Sequence, residues 1–153
     1  MSIRTLQPER LWKEFYEICQ IPHPSKKEEK MIAYLQEFGK RHNLETRTDA
    51  AGNVLICKPA TPGYENRKKV ILQSHMDMVC EKNNDTQHNF DTDPIQPYID
   101  GEWVKAKGTT LGADNGIGMA TELAILASND LKHPALECLF TVDEETGLTG
   151  AFA

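Results

Sequence analysis

The sequence Val70-Ile71-Leu72-Gln73-Ser74-His75-Met76-Asp77 joins an apolar run to a histidine and an aspartate. The run has no polar alternation, which predicts a strand covered on both faces. Side chains two residues apart in a strand share a face, so His75 and Asp77 should lie side by side where the strand ends. A metal-bound histidine usually donates its other ring N–H to a carboxylate. The spacing fits a metal ligand and its orienting group, although His-x-Asp also arises often by chance.

The composition is that of a globular protein. The chain has 153 residues and a formal net charge of −6, with 39% hydrophobic and 26% charged residues. It has no basic stripe, so we expect no nucleic-acid partner. No segment approaches the ~18 apolar residues of a membrane span, and residues 1–12 lack the apolar core of a secretory signal. The cysteines form no C-x-x-C motif, which favours free thiols in a reducing cytoplasm; they are Cys19, Cys57, Cys80 and Cys138.

Two helices are predicted in the first quarter of the chain. Apolar residues recur at helical spacing over residues 8–19, and two prolines then break the pattern. Ser25 and Glu28 have the spacing of a capping box that opens a second helix, which ends near Gly39. The residues expected on its inward face are Met31, Ile32, Leu35 and Phe38.

The rest of the pattern predicts an α/β fold. Two hairpins are expected, one over residues 44–57 and one over 95–105, with a polar loop at 81–93 between them. A helix follows at 116–127, and a second apolar strand at 136–142. The inward face of this helix is predicted to carry Ile117, Ala120, Ala124 and Ile125. Helices between apolar strands indicate a mixed sheet flanked by helices.

A glycine-rich stretch, Gly108 to Gly116, leads into the third helix. It does not match a Walker A loop, because no lysine follows Gly112 or Gly116, and it does not complete G-x-G-x-x-G. The glycines could simply form a tight turn. They could also hold Asp114 where its carboxylate bridges two cations.

Three adjacent carboxylates, Asp143-Glu144-Glu145, follow the second apolar strand. On an exposed loop they need no further explanation; facing a cleft, they need a cation to offset their repulsion. Alternation would send Glu144 and Glu145 in different directions, so that one binds metal while the other handles a proton. Imidazole and carboxylate ligands suit zinc or a related divalent ion, and a bridging carboxylate suits a two-metal site with ions ~3.5–4 Å apart.

These motifs resemble a known family. Residues 21–25, 81–86, 93–105 and 108–118 are its most specific stretches, and the likeness covers essentially the whole chain. The chain is similar to the N-terminal part of the cytosolic non-specific dipeptidases, also called aminoacyl-histidine dipeptidases. These form a branch of the dinuclear-zinc metallopeptidases.

The resemblance implies a role for each candidate residue. His75 would bind one metal ion, Asp77 would orient that imidazole, and Asp114 would bridge both ions. Glu144 would be the general base, and Glu145 would bind the second ion. Two zinc ions are expected, with manganese or cobalt as alternatives. The resemblance also implies a cis peptide bond between Asp114 and the residue that follows it.

The implied activity is hydrolysis of dipeptides, including Xaa-His dipeptides, by a homodimeric parent protein. Deacylation of an N-acyl amino acid by the same fold is the alternative. Residues 1–153 would form the N-terminal portion of the catalytic domain, with its remainder and a lid or dimerisation domain further along. Alone, this portion would be inactive, or would serve as a non-catalytic assembly module.

Overall fold

A computed structural model describes residues 2–153 of the chain. Nine regular elements follow one another, with short 3-10 helices at Ile3–Thr5 and Gly150–Phe152. In chain order they are α1 (Glu9–Cys19), α2 (Glu29–Arg41), β1 (Glu45–Thr48), β2 (Val54–Lys58), β3 (Val70–His75), β4 (Pro97–Asp100), β5 (Trp103–Ala106), α3 (Ala113–Ala127) and β6 (Leu136–Thr141).

Four strands form a mixed sheet in the order β1-β2-β6-β3. The β1–β2 and β2–β6 pairs are antiparallel, whereas β6 and β3 run parallel. Helix α3 lies between β5 and β6 in the chain and packs on β3 and on α1, while α2 packs on β1 and β2. This architecture confirms the predicted α/β class and its mixed sheet. The two hairpins are also confirmed, since β1 pairs with β2 and β4 pairs with β5.

The core is built from the apolar faces of these elements. The predicted stripes of the first two helices are largely confirmed: Phe15 and Ile18 on α1 are buried, as are Met31, Leu35 and Phe38 on α2. Ile32, also expected on the inward face of α2, is only half-buried. Strands β2 and β6 bury alternate residues, in the period expected of strands with one covered face.

The predicted inward face of α3 is wrong in part. Ala120 is buried as expected, but Ile117, Ala124 and Ile125 are only half-buried. The core side of the helix instead carries Met119, Ala120, Leu123 and Leu126. Because α3 is apolar on most of its circumference, its sequence period could not select a face. Contact with both α1 and β3 selects it instead.

The expectation that β3 is covered on both faces is also wrong at its beginning. Val70 is 40% exposed and Ile71 62% exposed, whereas Ser74 and His75 are buried. In the described sheet β3 is an edge strand, and α3 covers only its end, where a Cβ on Gly118 would stand 3.1 Å from Ser74 Cβ. Burial is therefore concentrated on the half of the strand that carries the histidine.

Lysine 58, at the end of β2, fixes the far end of α3. This buried side chain donates to the carbonyls of Ile125 and Leu126, each at 2.9 Å, and to that of Ser128. These carbonyls belong to the last turn of the helix, where a cation satisfies otherwise unpaired acceptors and complements the helix dipole. The contact anchors α3 to the sheet at the end opposite Asp114.

The structure also describes the cysteines and the polar loop singled out in the sequence. All four cysteines are free. Residues 81–93 form a largely exposed loop, and Lys82 bridges it to Thr109 in the glycine-rich stretch. Between residues 2 and 153, no helix has the length and apolar character needed to cross a membrane.

One acidic side chain lies deep in the fold. Glu122 of α3 is 4% exposed, and neither its Oε2 nor the buried Ser74 Oγ has a hydrogen-bond partner among residues 2–153. Burial raises the pKa of Glu122 to about 7, although the nearby Ser74 hydroxyl and Cys138 thiol offset part of that effect. The folded protein therefore holds this proton over a pH range in which the unfolded chain releases it.

We predict that Glu122→Gln removes a pH-dependent loss of stability. In the wild type, the free energy of unfolding should fall as the pH rises from about 4.5, the ordinary pKa of a glutamate. The full loss of stability, roughly 3 kcal/mol, is reached above about pH 7. Urea denaturation at pH 5, 6, 7 and 8 measures this slope. The free energy of unfolding of the glutamine variant should change less over this pH range, and that of the exposed-site control Glu65→Gln should change as in the wild type. Equal slopes for all three proteins would refute the assignment.

Candidate metal centre

The candidate centre lies where the parallel strands β3 and β6 end. His75, the last residue of β3, is in register with Thr141, the last residue of β6. The N–H of Met76 donates to the Thr141 carbonyl at 2.8 Å, which continues the pairing by one step. Parallel strands carry the residues that follow them to the same sheet edge. Two segments distant in sequence, 76–77 and 142–145, therefore meet there.

The structure brings all five predicted site residues together. His75 Nε2 lies 3.0 Å from Asp114 Oδ1 and 3.7 Å from Glu144 Oε2. One possible ligand atom from each of His75, Asp114 and Glu145 lies within 4.8 Å of the others. The imidazole is buried, whereas Asp114 and Glu145 are exposed. The donor set fits a divalent metal ion, since it combines one buried imidazole nitrogen with two carboxylates that are open to solvent.

The charges around His75 point to the same chemistry. Burial alone would lower the pKa of this histidine, but the carboxylates of Asp77 and Asp114, with the charge of Glu144, raise it to about 9. Loss of solvation raises the pKa of Glu145, and the charges of Glu144 and Asp114 add to that effect against the attraction of His75. The cluster thus has a surplus of negative charge, which a bound cation would offset.

Asp77 connects the two halves of the site. Its carboxylate accepts the backbone N–H of Glu144 at 3.0 Å, that of Glu145 at 3.2 Å and the Ser25 hydroxyl at 2.7 Å. Its Oδ1 lies 3.4 Å from His75 Nδ1, which is closer, at 3.0 Å, to the backbone carbonyl of Asp77. Burial disfavours the charged form, but His75 and these donors outweigh it and hold the pKa of Asp77 well below its usual range.

The three adjacent carboxylates do not share one environment. Asp143 is buried, has a left-handed backbone with φ of 49°, and accepts the hydroxyls of Thr146 and Thr149. Glu144 and Glu145 point towards the mouth of the site, where the Glu144 side chain is 35% exposed. Their backbone N–H groups face inward to Asp77. The fold therefore separates one structural carboxylate from two that are available for chemistry.

The glycine-rich stretch delivers Asp114 from the opposite side. Gly112 has φ of +72°, and a Cβ there would lie 2.9 Å from Met78 Sδ, so glycine is required for both conformation and space. The Asp114–Asn115 peptide bond is cis, which confirms the expectation drawn from the resemblance. Although α3 is assigned from Ala113, the backbone becomes helical only after Asn115.

Sequence reasoning missed the side chains that support this centre. The predicted capping box is wrong: α2 begins at Glu29 without a side-chain cap, and Ser25 donates to Asp77 instead. Glu28 accepts the N–H of Asp143 at 3.0 Å. Asn53 accepts the N–H of Val142 at 3.0 Å. The local spacing of Ser25 and Glu28 did mark them as hydrogen-bonding residues, but it could not reveal partners more than fifty residues away.

Comparison with known sequences places the chain in a family. A profile of "Peptidase family M20/M25/M40" matches residues 71–153, more than half of the chain, including all five site residues. The chain belongs to this peptidase family. The M20 assignment confirms the resemblance seen in the sequence motifs.

Individual M20-type relatives are close over the whole chain but much longer. The cytosol non-specific dipeptidase of Escherichia coli (strain K12) is 58% identical over 99% of this chain, which covers 31% of that protein. The aminoacylhistidine dipeptidase of Vibrio alginolyticus superimposes with a TM-score of 0.98 at 59% identity, over 100% of this chain and 31% of that one. Aminopeptidase PepT of Bacillus cereus superimposes with a TM-score of 0.77 at 27% identity, over 97% of this chain and 40% of that one. The chain thus spans about a third of the length of its close relatives.

We predict that Asp77→Asn weakens divalent-ion binding about 10–100-fold, because it removes a charge and an acceptor that hold the ligand-bearing backbone. Calorimetric titration of the full-length protein with zinc measures the change. Asp85→Asn, at an exposed aspartate of the 81–93 loop, is the matched control and should bind zinc like the wild type. Wild-type affinity in the Asp77 variant would contradict the role given to this carboxylate.

Proposed function

We propose that this chain is the N-terminal portion of the catalytic domain of a metal-dependent dipeptidase that acts on dipeptides, including Xaa-His dipeptides. The observation that carries the proposal is the convergence of His75, Asp114 and Glu145 beside Glu144 at one sheet edge. Two relatives that are 58% and 59% identical to this chain over nearly its whole length are a cytosol non-specific dipeptidase and an aminoacylhistidine dipeptidase, which supports this substrate class. We infer a cytoplasmic location from the same likeness, and we expect neither nucleic acid nor membrane as a partner.

His75, Asp114 and Glu145 would hold two divalent ions, with Asp114 between them and zinc as the favoured metal over manganese or cobalt. Such ions, when bound, polarise a carbonyl oxygen and lower the pKa of a water molecule. The 86% exposure of the Asp114 side chain and the open position of Glu145 support access to both carboxylates from the solvent side. His75 is anchored beneath them, because both its ring nitrogens have acceptors within 3.0 Å.

Glu144 is the group we assign to proton transfer. Its backbone N–H is fixed by Asp77, while its carboxylate lies 3.7 Å from His75 Nε2 and remains partly open to solvent. A carboxylate so placed can accept the proton of the attacking water and deliver it to the leaving amine of the dipeptide. Asp77 does not reach the substrate in this scheme; it orients His75 and holds the 144–145 backbone.

The chain covers 31% of the relatives that support the proposal. We infer that further metal ligands, the rest of the catalytic domain and a lid or dimerisation domain belong to the full-length protein, as a homodimer. Residues 1–153 alone should show little hydrolysis, since three ligand side chains shared by two ions are fewer than the about three per ion usual in catalytic zinc sites.

Replacement of the two glutamates separates catalysis from metal binding. Glu144→Gln in the full-length protein should lower kcat for a dipeptide at least ~100-fold with nearly unchanged metal content, because it removes the base and not a ligand. Glu145→Gln should lose bound metal. The measurements are steady-state kinetics and elemental analysis of the same preparations, with Glu65→Gln as an exposed control.

Near-normal turnover in the Glu144 variant would overturn the assignment of the base. Assays of the wild type with dipeptides and with N-acyl amino acids distinguish the proposed activity from deacylation. Release of amino acids only from the N-acyl substrates would replace the dipeptidase proposal with the deacylase alternative, and hydrolysis of neither would leave a non-catalytic module.

A further inference from the structure

Residues 22–28, between α1 and α2, lie directly behind the candidate metal centre. This 22–28 segment is attached to the chain after β3 by the N–H of Met78, which donates to the His23 carbonyl at 3.2 Å, and by a parallel bridge between Pro24 and Met78. His23 is 3% exposed and Glu28 6% exposed. The segment is therefore fixed to the interior through His23 and Glu28, although Lys26 and Lys27 remain exposed.

Ser25 holds Asp77 from behind. Its hydroxyl donates to Asp77 Oδ2 at 2.7 Å, and the same oxygen accepts the N–H of Glu145 at 3.2 Å. The Asp77 side chain is fully buried, so solvent does not reach this oxygen while Ser25 is in place. Loss of the hydroxyl would leave one acceptor position of the carboxylate unfilled and free the carboxylate to rotate.

Glu28 holds Asp143, the residue just before Glu144. Its Oε1 accepts the N–H of Lys26 at 2.9 Å and the N–H of Asp143 at 3.0 Å. One carboxylate oxygen thus closes the turn that carries Ser25 and fixes the residue just before Glu144. Because both bonds are accepted from backbone N–H groups, a glutamine at position 28 can make them through its own Oε1.

The two side chains reach Glu144 and Glu145 by separate routes. Ser25 reaches Glu145 through Asp77, and Glu28 reaches Glu144 through Asp143. Neither Ser25 nor Glu28 belongs to the group of His75, Asp114 and Glu145 that can share an ion; Glu28 lies instead in a separate, buried group of carboxylates with Asp77 and Asp143. The hydrogen bonds that connect Ser25 and Glu28 to Glu144 and Glu145 are buried in the case of Glu28 to Asp143 and partly buried in the others.

We propose that Ser25 and Glu28 are positioning residues, which set the placement of the general base Glu144 and the ligand Glu145 through Asp77 and Asp143. The proposal rests on the metallo-dipeptidase function given above. It assigns to the 22–28 segment a role in the reaction that its sequence position, well before any ligand, does not reveal. Displacement of a catalytic group by about 1 Å can cost ~100-fold in rate, so a change in these bonds should be measurable.

The test uses Ser25→Ala and Glu28→Ala in the full-length protein, with Ser25→Thr and Glu28→Gln as conservative partners that keep the hydroxyl and the acceptor oxygen. Glu29→Ala, at the exposed neighbouring glutamate, is the matched control. Three quantities are measured for each: kcat and KM for a dipeptide, zinc affinity by calorimetry, and Tm. We expect the alanine variants to lose at least ~10-fold in kcat with KM changed less than about threefold, and to bind zinc about 10-fold more weakly.

The positioning role is supported if Ser25→Thr and Glu28→Gln recover kcat and zinc affinity to within about threefold of wild type. This criterion does not depend on whether Tm also recovers. Wild-type kcat and zinc affinity in both alanine variants would overturn it. A fall in Tm alone, with kcat per folded molecule and zinc affinity unchanged, would also overturn it. If the wild type hydrolyses no dipeptide, the proposed function fails, and the comparison of zinc affinities still decides the positioning role.

Discussion

The buried carboxylate of Asp77 is the constraint on which the rest of the site depends. It lies where two parallel strands end, and it accepts hydrogen bonds from the segment after β6 and from the loop before α2. A buried anion is tolerated only when it is well supplied with donors. Those donors are the backbone N–H groups of Glu144 and Glu145 and the Ser25 hydroxyl, so satisfying Asp77 also fixes the residues assigned to chemistry.

The remaining electrostatics follow from a shortage of positive charge. Asp114, Glu144 and Glu145 gather around His75, and the pKa of this histidine rises to about 9 in response to its acidic neighbours, against the effect of burial. Proton and metal compete for the same nitrogen, and the exposed carboxylates at the mouth leave room for a cation. The fold thus maintains a repulsive cluster that an ion bound between its members would stabilise.

Much of the fold was predictable because local chemistry decides it. The amphipathic stripes of α1 and α2 have a clear polar side, and both hairpins turn at glycine-containing segments. The face of α3 was not predictable, since that helix is apolar nearly all round, and the exposure of Ile71 depends on β3 being at the edge of the described sheet. Those features are set by neighbours distant in sequence.

The five candidate site residues could be singled out from the sequence because each lies at the end of a predicted strand or within the glycine-rich stretch, but the side chains that support them could not. Ser25 and Glu28 have the spacing of a helix cap, and only the tertiary structure shows that they serve Asp77 and Asp143 instead.

The most direct test of the account is anomalous diffraction at the zinc absorption edge from crystals of the full-length protein grown with zinc. We predict two peaks ~3.5–4 Å apart, both about 2.0–2.2 Å from Asp114 carboxylate oxygens, one also bound by His75 Nε2 and the other by Glu145. Peaks that contact neither Asp114 nor Glu145, or a fully loaded protein with only one ion at this edge of the sheet, would contradict the two-metal centre.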